Sequence, residues 1–261
     1  MDLGIAGRVA LVLGAGGGLG SAIAQALATE GARIAAADVN AAALETTVER
    51  LGAAAAAAIG LQWNLADAAA IGGNIARIEA ELGPVDILVN ITGGPPPGAA
   101  QDIDRALWVS QFESMLLPVF AITGAVLPGM RQRKWGRIIT STSSGVIAPI
   151  PNLAVSNALR SSLLGWSKSL SREVARDGIT CNIVVPGRIM TQRIMQLDKA
   201  KAEREGTSVE QVAAASTDSI PIGRYGRPEE YADAVAFLAS DRAAYITGSI
   251  VRVDGGLIAS I

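Results

Sequence analysis

Residues 9–20 read VALVLGAGGGLG, five apolar residues followed by five glycines in seven positions. The apolar run predicts a buried strand, and the helical pattern that continues to about Glu30 predicts a strand–turn–helix unit. Glycine allows a tight turn and lets backbone N–H groups approach a phosphate, while the helix N-terminus adds its positive dipole end. The stretch therefore predicts a dinucleotide-binding turn. Its candidate contact residues are Gly14, Gly16, Gly18, Leu19 and Gly20.

An acidic residue, Asp38, ends the second predicted strand, 18 residues after Gly20. A carboxylate at that place accepts hydrogen bonds from both ribose hydroxyls of an adenosine and repels a 2′-phosphate. Gly17 and Val39, where a basic residue would favour such a phosphate, are not basic. The sequence therefore predicts NAD rather than NADP. The alternative interpretation is that Asp38 only caps a helix or closes a turn.

Short apolar runs alternate with helical patterns along the chain, which is typical of repeated βαβ units around a buried parallel sheet. The predicted strands are Val9–Leu13, Arg33–Ala37, Ala56–Gln62, Val85–Val89, Gly136–Thr140, Thr180–Val185 and Ser249–Val253. The predicted helices cover about 19–30, 41–51, 67–82, 102–131, 153–176 and 228–239. We predict an α/β, doubly wound Rossmann fold with a seven-stranded parallel sheet, and residues 1–261 as a single domain.

Residues 188–220 interrupt the alternation with polar helical sequence, in which Ser208 and Gln211 have the spacing of a capping box. An insertion after the carboxyl end of a strand lies over the ligand crevice of an open α/β sheet. We therefore predict that this segment is a substrate lid.

Composition excludes several function classes. The chain of 261 residues has a net charge of −2, so no sequence-wide basic field favours nucleic acid or an anionic membrane as a partner. With no histidine and one cysteine, a His-based triad, an imidazole metal site and an internal disulfide are excluded, and we expect no metal. A small-molecule substrate remains the expected partner.

Location and assembly follow from the same composition. No run of 18 apolar residues and no signal-peptide pattern is found, so we expect a cytoplasmic protein. The predicted helices 102–131 and 153–176 carry more apolar residues than one buried face requires. We therefore expect a homotetramer or homodimer.

With these residues placed, the chain resembles the classical short-chain dehydrogenase/reductase family over nearly its whole length. The glycine spacing resembles that family's coenzyme turn, and Asp254-Gly255-Gly256 resembles its ending. The resemblance implies that Asn64 and Leu65 contact adenine and that Asn90 and Gly93 belong to the element after the fourth strand. It also implies strand order 3-2-1-4-5-6-7. The segment that would border the nicotinamide carboxamide holds Pro186, Gly187, Ile189 and Thr191.

The family's catalytic pattern is matched only at the serine. Members use a serine, a tyrosine, a lysine four residues later and an asparagine, and Ser143 is the match for the serine. Leu153 falls at the tyrosine position, Asn157 at the lysine position and Met115 at the asparagine position.

No Tyr-x-x-x-Lys occurs elsewhere. Residues four positions after the three tyrosines, at 225, 231 and 245, are glutamate, valine and serine. Lys168 lies on the same predicted helix as Asn157 but roughly 16 Å further along its axis, so it cannot replace the missing lysine.

Two arginines remain as candidate cations. Arg188 follows the Pro-Gly turn, where its fixed guanidinium suits a substrate carboxylate or phosphate, or equally an ion pair with a lid carboxylate or cofactor phosphate. Arg160 lies one turn beyond Asn157, and we expect it at the surface or a subunit interface. The candidate catalytic residues are therefore Ser143, Asn157 and Arg188.

Two functions stay open. One is an NAD(H)-dependent oxidoreductase with a non-standard active site, acting on a carbonyl or hydroxyl substrate. The other is a non-redox, cofactor-binding protein on the same scaffold: a pseudoenzyme, a regulatory subunit or a lyase.

Overall fold

The computed structural model describes residues 2–52 and 54–261, and its centre is a sheet of seven parallel strands. The strands are β1 (Val9–Leu13), β2 (Arg33–Asp38), β3 (Ala58–Gln62), β4 (Val85–Asn90), β5 (Gly136–Ser141), β6 (Ile179–Pro186) and β7 (Ile250–Val253). Their order is β3-β2-β1-β4-β5-β6-β7, as expected. The single-domain α/β fold and the all-parallel sheet predicted from the alternation are thus confirmed. The predicted start of β3 at Ala56 is two residues early, and Ala53 lies outside the described residues.

Helices cover both faces of the sheet. They are α1 (Gly18–Thr29), α2 (Ala41–Leu51), α3 (Ala70–Glu81), α4 (Arg105–Met115), α5 (Leu117–Arg133), α6 (Ala154–Val174), α7 (Gln192–Glu205), α8 (Val209–Asp218) and α9 (Pro228–Leu238). Helices α1, α2 and α9 pack on one face, while α3, α5 and α6 pack on the other. Strands β1 and β4 are therefore buried on both sides, which explains their continuous apolar sequence.

The single helix predicted over 102–131 is wrong. The chain forms α4 and α5 instead, with a break at Leu116. Pro118 lacks the N–H that a continuous helix needs there, and its ring crowds the preceding turn. The start is also later than Asp102, which has a positive φ of 57°; Asp104 caps α4 by accepting a hydrogen bond from the backbone of Ala106.

The segment 105–133 has the length and the apolar composition that a membrane-crossing helix needs. Its two helices meet at the break, and Val119, Ile122 and Val126 of α5 are buried inside the protein. Buried core helices of globular domains have the same length and composition, so this segment is not evidence for a membrane-spanning helix.

The segment predicted as a lid contains α7 and α8. Its capping box is confirmed: Ser208 accepts a hydrogen bond from the backbone of Gln211, whose side chain accepts one from the backbone of Ser208. Both helices follow β6, so they rise from the carboxyl end of the sheet. The lid role itself stays a prediction.

Candidate active site

A cleft of about 1040 Å³ opens at the carboxyl ends of the strands. Most predicted site residues line it: Gly14, Gly18, Leu19, Gly20, Asp38, Asn64, Leu65, Gly93, Ser143, Pro186, Gly187, Arg188, Ile189 and Thr191. Three do not belong to this lining, namely Gly16, Asn90 and Asn157. One continuous cleft therefore joins the predicted dinucleotide site to Ser143.

The glycine turn is built for close backbone approach. Gly14 has a φ of +66°, which favours glycine, and a Cβ at Gly20 would collide with the carbonyl oxygen of Gly14. Helix α1 starts from Gly17 without a side-chain cap. Its first N–H groups therefore stay available to an anion, which is the geometry that a dinucleotide pyrophosphate requires.

The carboxylate of Asp38 is held in place by two backbone groups. One oxygen accepts from Gly16 N and the other from Asn40 N, each at 2.9 Å. Helix α2 is capped by Asn40, which accepts from Ala43 N at 3.2 Å. Asp38 therefore closes a turn and is not the cap of α2, and it lines the cleft as the nucleotide interpretation requires.

Residues after β3 and after β6 complete the cleft around the glycine turn. A Cβ at Gly18 would lie 2.9 Å from the methyl carbon of Thr191, so the start of the lid segment lies directly against the coenzyme turn. Asn64 holds its own turn by accepting from Ala66 N, at 3.1 Å, and lines the cleft beside Leu65. These residues fit the adenosine and phosphate parts of a dinucleotide.

Asn90 serves the sheet. It is buried, and its amide nitrogen lies 3.3 Å from Oγ1 of Thr140, which ties β4 to β5. The residues that come after Asn90 in the chain, including Gly93, line the cleft. The structure therefore brings Gly93, and not Asn90, to the cleft.

Ser143 follows β5, and its Oγ accepts a hydrogen bond from Gly145 N at 3.2 Å. Leu153 lies immediately before α6 and lines the cleft. Asn157, one turn into α6, donates to the carbonyl oxygen of Ile150 at 2.9 Å and accepts from the backbone nitrogen of the same residue at 3.4 Å. Asn157 thus fastens the loop between Ser143 and Leu153.

Comparisons with known proteins agree with this geometry. The protein family described as Enoyl-(Acyl carrier protein) reductase matches residues 14–258. The chain is 39% identical to the 3-oxoacyl-[acyl-carrier-protein] reductase FabG of Escherichia coli (strain K12), over 96% of this chain and 97% of that protein. It belongs to the short-chain dehydrogenase/reductase family.

Two further relatives show the range of this family. The chain is 36% identical to the 2,3-dihydro-2,3-dihydroxybenzoate dehydrogenase of Bacillus subtilis (strain 168), with 97% of each chain covered. The crystal structure of L-sorbose reductase from Gluconobacter frateurii, complexed with NADPH and L-sorbose, superposes with a TM-score of 0.93. The two chains are 29% identical, and all of each is covered. Both short-chain dehydrogenases/reductases are similar to this chain, and their names give two different substrates.

The three tyrosines of this short-chain dehydrogenase/reductase do not belong to the cleft lining, although Tyr225 and Tyr231 contact residues that do. Tyr225 donates to Asp198 at 2.6 Å, and Tyr245 is exposed. Tyr231 is buried 2.7 Å from Oγ of Ser141, and burial raises the pKa of its phenol. Lys168 donates to the carbonyl oxygen of Gly248, at 3.0 Å, on the far part of α6. That Leu153 and Asn157 stand at the family's tyrosine and lysine positions stays a prediction.

Arg188 forms an ion pair with Asp198 of α7, which also accepts the hydrogen bond of Tyr225. Its guanidinium carbon lies 5.7 Å from the centre of the Tyr225 ring. Of the interpretations left open for Arg188, the structure shows the ion pair with a lid carboxylate.

The expectation that Arg160 lies at the surface or an interface is wrong. Only 8% of this residue is exposed, and its Nη2 donates to the carbonyl oxygens of Thr92, at 3.1 Å, and Gly93, at 2.7 Å. Removal from water lowers the pKa of its guanidinium to about 10. Positions 153, 157 and 160 follow the i, i+4, i+7 spacing of one helix face, so this spacing was the signal that places Arg160 at the site.

Arg193 of α7 lines the cleft and donates to the carbonyl oxygen of Pro95 at 3.1 Å. No motif in the sequence singles it out. Among residues 2–52 and 54–261, no group of three or more acidic or cysteine side chains is placed to hold a metal ion.

Proposed function

We propose that this protein is an NAD(H)-dependent oxidoreductase that acts on the carbonyl or hydroxyl group of a small substrate, with an active site lacking the family's tyrosine–lysine pair. The observation that carries the proposal is the single cleft that joins the glycine turn and Asp38 to Ser143. A cofactor and a substrate bound in one cleft come into contact, which hydride transfer requires.

Asp38 supports NAD over NADP. Its carboxylate is oriented by two backbone N–H groups and would face like charge from a 2′-phosphate. The basic residues of the cleft lining belong to α6 or to the segment after β6, and within the described residues none lies on β2 or on the turn that follows it: Arg160, Arg188, Arg193, Lys201 and Arg204. Since structural neighbours bind NADPH, as L-sorbose reductase does, the two cofactors have to be compared directly.

The chain's own chemistry depends on Ser143. When bound, a nicotinamide supplies or accepts the hydride. Because Oγ of Ser143 accepts from Gly145 N, its own proton stays free to bond the substrate oxygen. Among the residues that the structure describes, the cleft lining contains no histidine, cysteine or tyrosine. We therefore propose that solvent or the substrate itself supplies the proton.

The second candidate is a cofactor-binding protein without redox activity, such as a regulatory subunit or a lyase. Leu153 and Asn157 favour it, because neither can transfer a proton and Asn157 is engaged with the backbone of Ile150. Under both candidates the same residues bind the dinucleotide.

A fluorescence titration with NADH and NADPH, followed by turnover tests on keto and hydroxy compounds, separates these candidates. We expect NADH to bind more tightly than NADPH and to be oxidised by at least one carbonyl substrate. NADH binding without turnover on the whole panel would support the second candidate. The lid role of residues 188–220 is part of this proposal, since α7 and α8 contribute to the cleft lining.

A further inference from the structure

Two arginines converge on one point of the cleft, beside Gly94. A Cβ added at Gly94 would lie 3.6 Å from Nη2 of Arg193 and 3.9 Å from Nη2 of Arg160. The two guanidinium nitrogens are therefore no further apart than these two distances combined. Two positive charges at such a separation repel each other, and an anion between them would offset this repulsion.

Neither arginine is neutralised by a carboxylate within residues 2–52 and 54–261. Arg160 donates to the carbonyl oxygens of Thr92 and Gly93, and Arg193 to that of Pro95. The acidic side chains of the cleft lining are Asp38 and Asp198. Both are engaged elsewhere, Asp38 with backbone N–H groups and Asp198 with Arg188 and Tyr225.

Burial makes this arrangement costly. Arg160 is more than nine-tenths buried, yet it lies on the cleft lining and has only carbonyl partners. A buried charge without a counter-charge is unfavourable, so an anion bound at this point would offset a cost that the carbonyl partners leave in place. The overall negative chain thus has a local positive site at this point.

The segment that begins at Gly94 leads to the start of α6. It runs to Gly98, which accepts from Ala154 N and donates to the carbonyl oxygen of Asn152. This pairing places the segment against the start of α6, next to Leu153. The pyrophosphate of a dinucleotide has its own site at the start of α1.

We infer that Arg160 and Arg193 bind an anionic group of the substrate, a carboxylate or a phosphate, while Ser143 bonds its carbonyl or hydroxyl oxygen. The inference deepens the proposed function and depends on it for the identity of the reacting group. Guanidinium groups suit this role because their planar N–H forks match the oxygens of carboxylates and phosphates.

Calorimetric titrations with three probes test the anion site, each with and without saturating NADH. Phenylglyoxylate is a 2-oxo acid, phenylglyoxamide is its neutral analogue of similar shape, and inorganic phosphate carries charge alone. We expect phenylglyoxylate or phosphate to bind at least tenfold more tightly than phenylglyoxamide. Tighter binding of phenylglyoxylate assigns a carboxylate substrate, and tighter binding of phosphate assigns a phosphorylated one.

The variant Arg193→Gln should remove the preference for charged probes, because it removes one of the two positive charges. Arg193 is exposed on α7, so its replacement leaves the core intact. The matched control is Lys199→Gln, which removes the same charge from the same helix at an exposed position outside the cleft lining. The control should keep the preference. Equal binding of the charged and neutral probes by the unmodified protein would overturn the inference.

A second pair of variants tests the site first by thermal stability without a ligand and then with the anionic probes. Gly94→Asp puts a carboxylate between the two arginines, whereas Gly94→Asn adds a neutral side chain of similar size. We expect the aspartate variant to melt at a higher temperature than the asparagine variant and to bind neither anionic probe. A lower melting temperature for Gly94→Asp than for Gly94→Asn would overturn the inference.

The NADH titration keeps the two proposals apart. Loss of NADH affinity in Arg193→Gln, with no change in phenylglyoxylate affinity, would assign the arginines to the cofactor and contradict the inference. Anion binding without any NADH oxidation would contradict the proposed redox function and leave the anion site in place.

Discussion

The carboxylate of Asp38 accepts a hydrogen bond from Gly16 N, at 2.9 Å, and so joins the end of β2 to the coenzyme turn after β1. The contact is close enough that a Cβ at Gly16 would lie 2.9 Å from the carboxylate carbon. Glycine at this position and aspartate at the strand end therefore depend on each other. Together they shape the part of the cleft where an adenosine ribose is expected.

Replacing Asp38 by alanine should weaken NAD binding by about 1–3 kcal/mol, because a charged hydrogen-bond acceptor is lost. Discrimination against NADP should narrow at the same time, since the repelling charge is removed. Fluorescence titration with both reduced cofactors measures these effects. The control is Asp67→Ala, which removes an exposed turn carboxylate that accepts from Ala69 N. Unchanged NADH affinity in Asp38→Ala would mean that Asp38 only closes a turn.

Ser143→Ala should lower kcat by about 10²- to 10³-fold, the usual cost of removing one donor to a developing oxyanion. NADH affinity should persist, because Ser143 is not among the residues proposed to bind the dinucleotide. Steady-state kinetics and an NADH titration provide the two readouts. Ser161→Ala is a suitable control, since Ser161 is exposed on α6 and bonds only the carbonyl oxygen of Asn157.

The double variant Leu153→Tyr with Asn157→Lys should restore ordinary carbonyl reduction if α6 still presents these positions to the nicotinamide. Its rate should then rise toward alkaline pH as a phenol titrates, whereas the unmodified protein should lack that rise. Rate measurements across pH on both proteins check this. An inactive double variant that still binds NADH would show that the pocket has been rebuilt, and it would favour the non-redox candidate.

The outer face of α4 and the start of α5 should form a subunit contact. Val109, Phe112 and Leu117 are 41%, 39% and 44% exposed, which leaves apolar area for a second copy to cover. Light scattering at micromolar concentration should report a homotetramer or homodimer, and Phe112→Glu should shift it toward monomer. A monomeric unmodified protein would contradict the prediction.

The buried thiol of Cys181 should lower the free energy of unfolding as the pH rises above 9. It lies on β6 with 1% exposure, and burial raises the pKa of its thiol from 9.0 to about 12. The folded state therefore keeps a proton that the unfolded state loses between these values. The free energy of unfolding should fall by about 1.4 kcal/mol per pH unit within this window.

Urea unfolding at several pH values measures this slope. The variant Cys181→Ala should lack the thiol's share, since every other titrating group is common to both proteins. Identical slopes for the two proteins would show that the thiol does not titrate between its folded and unfolded values.

The βα turn, the strand sequence and most helix bounds could be predicted from the chain alone, because each depends on local patterns. A buried strand needs a continuous apolar run, and the turn after β1 needs glycine at Gly14 whatever surrounds it. The break before α5 is not predicted from the apolar pattern, because this pattern continues through Pro118. The proline itself is the residue that indicates a break there.

The partners of the site's polar side chains were decided by the tertiary structure. Helix spacing indicates which face of α6 carries Arg160, but it does not indicate the partners of its guanidinium. Those partners are the carbonyl oxygens of Thr92 and Gly93, 68 and 67 positions away. Arg193 meets Arg160 only because α7 folds back over the same end of the sheet and reaches Pro95. Local sequence determines which elements form, whereas the packing of those elements determines which distant charges meet, and no local pattern records that meeting.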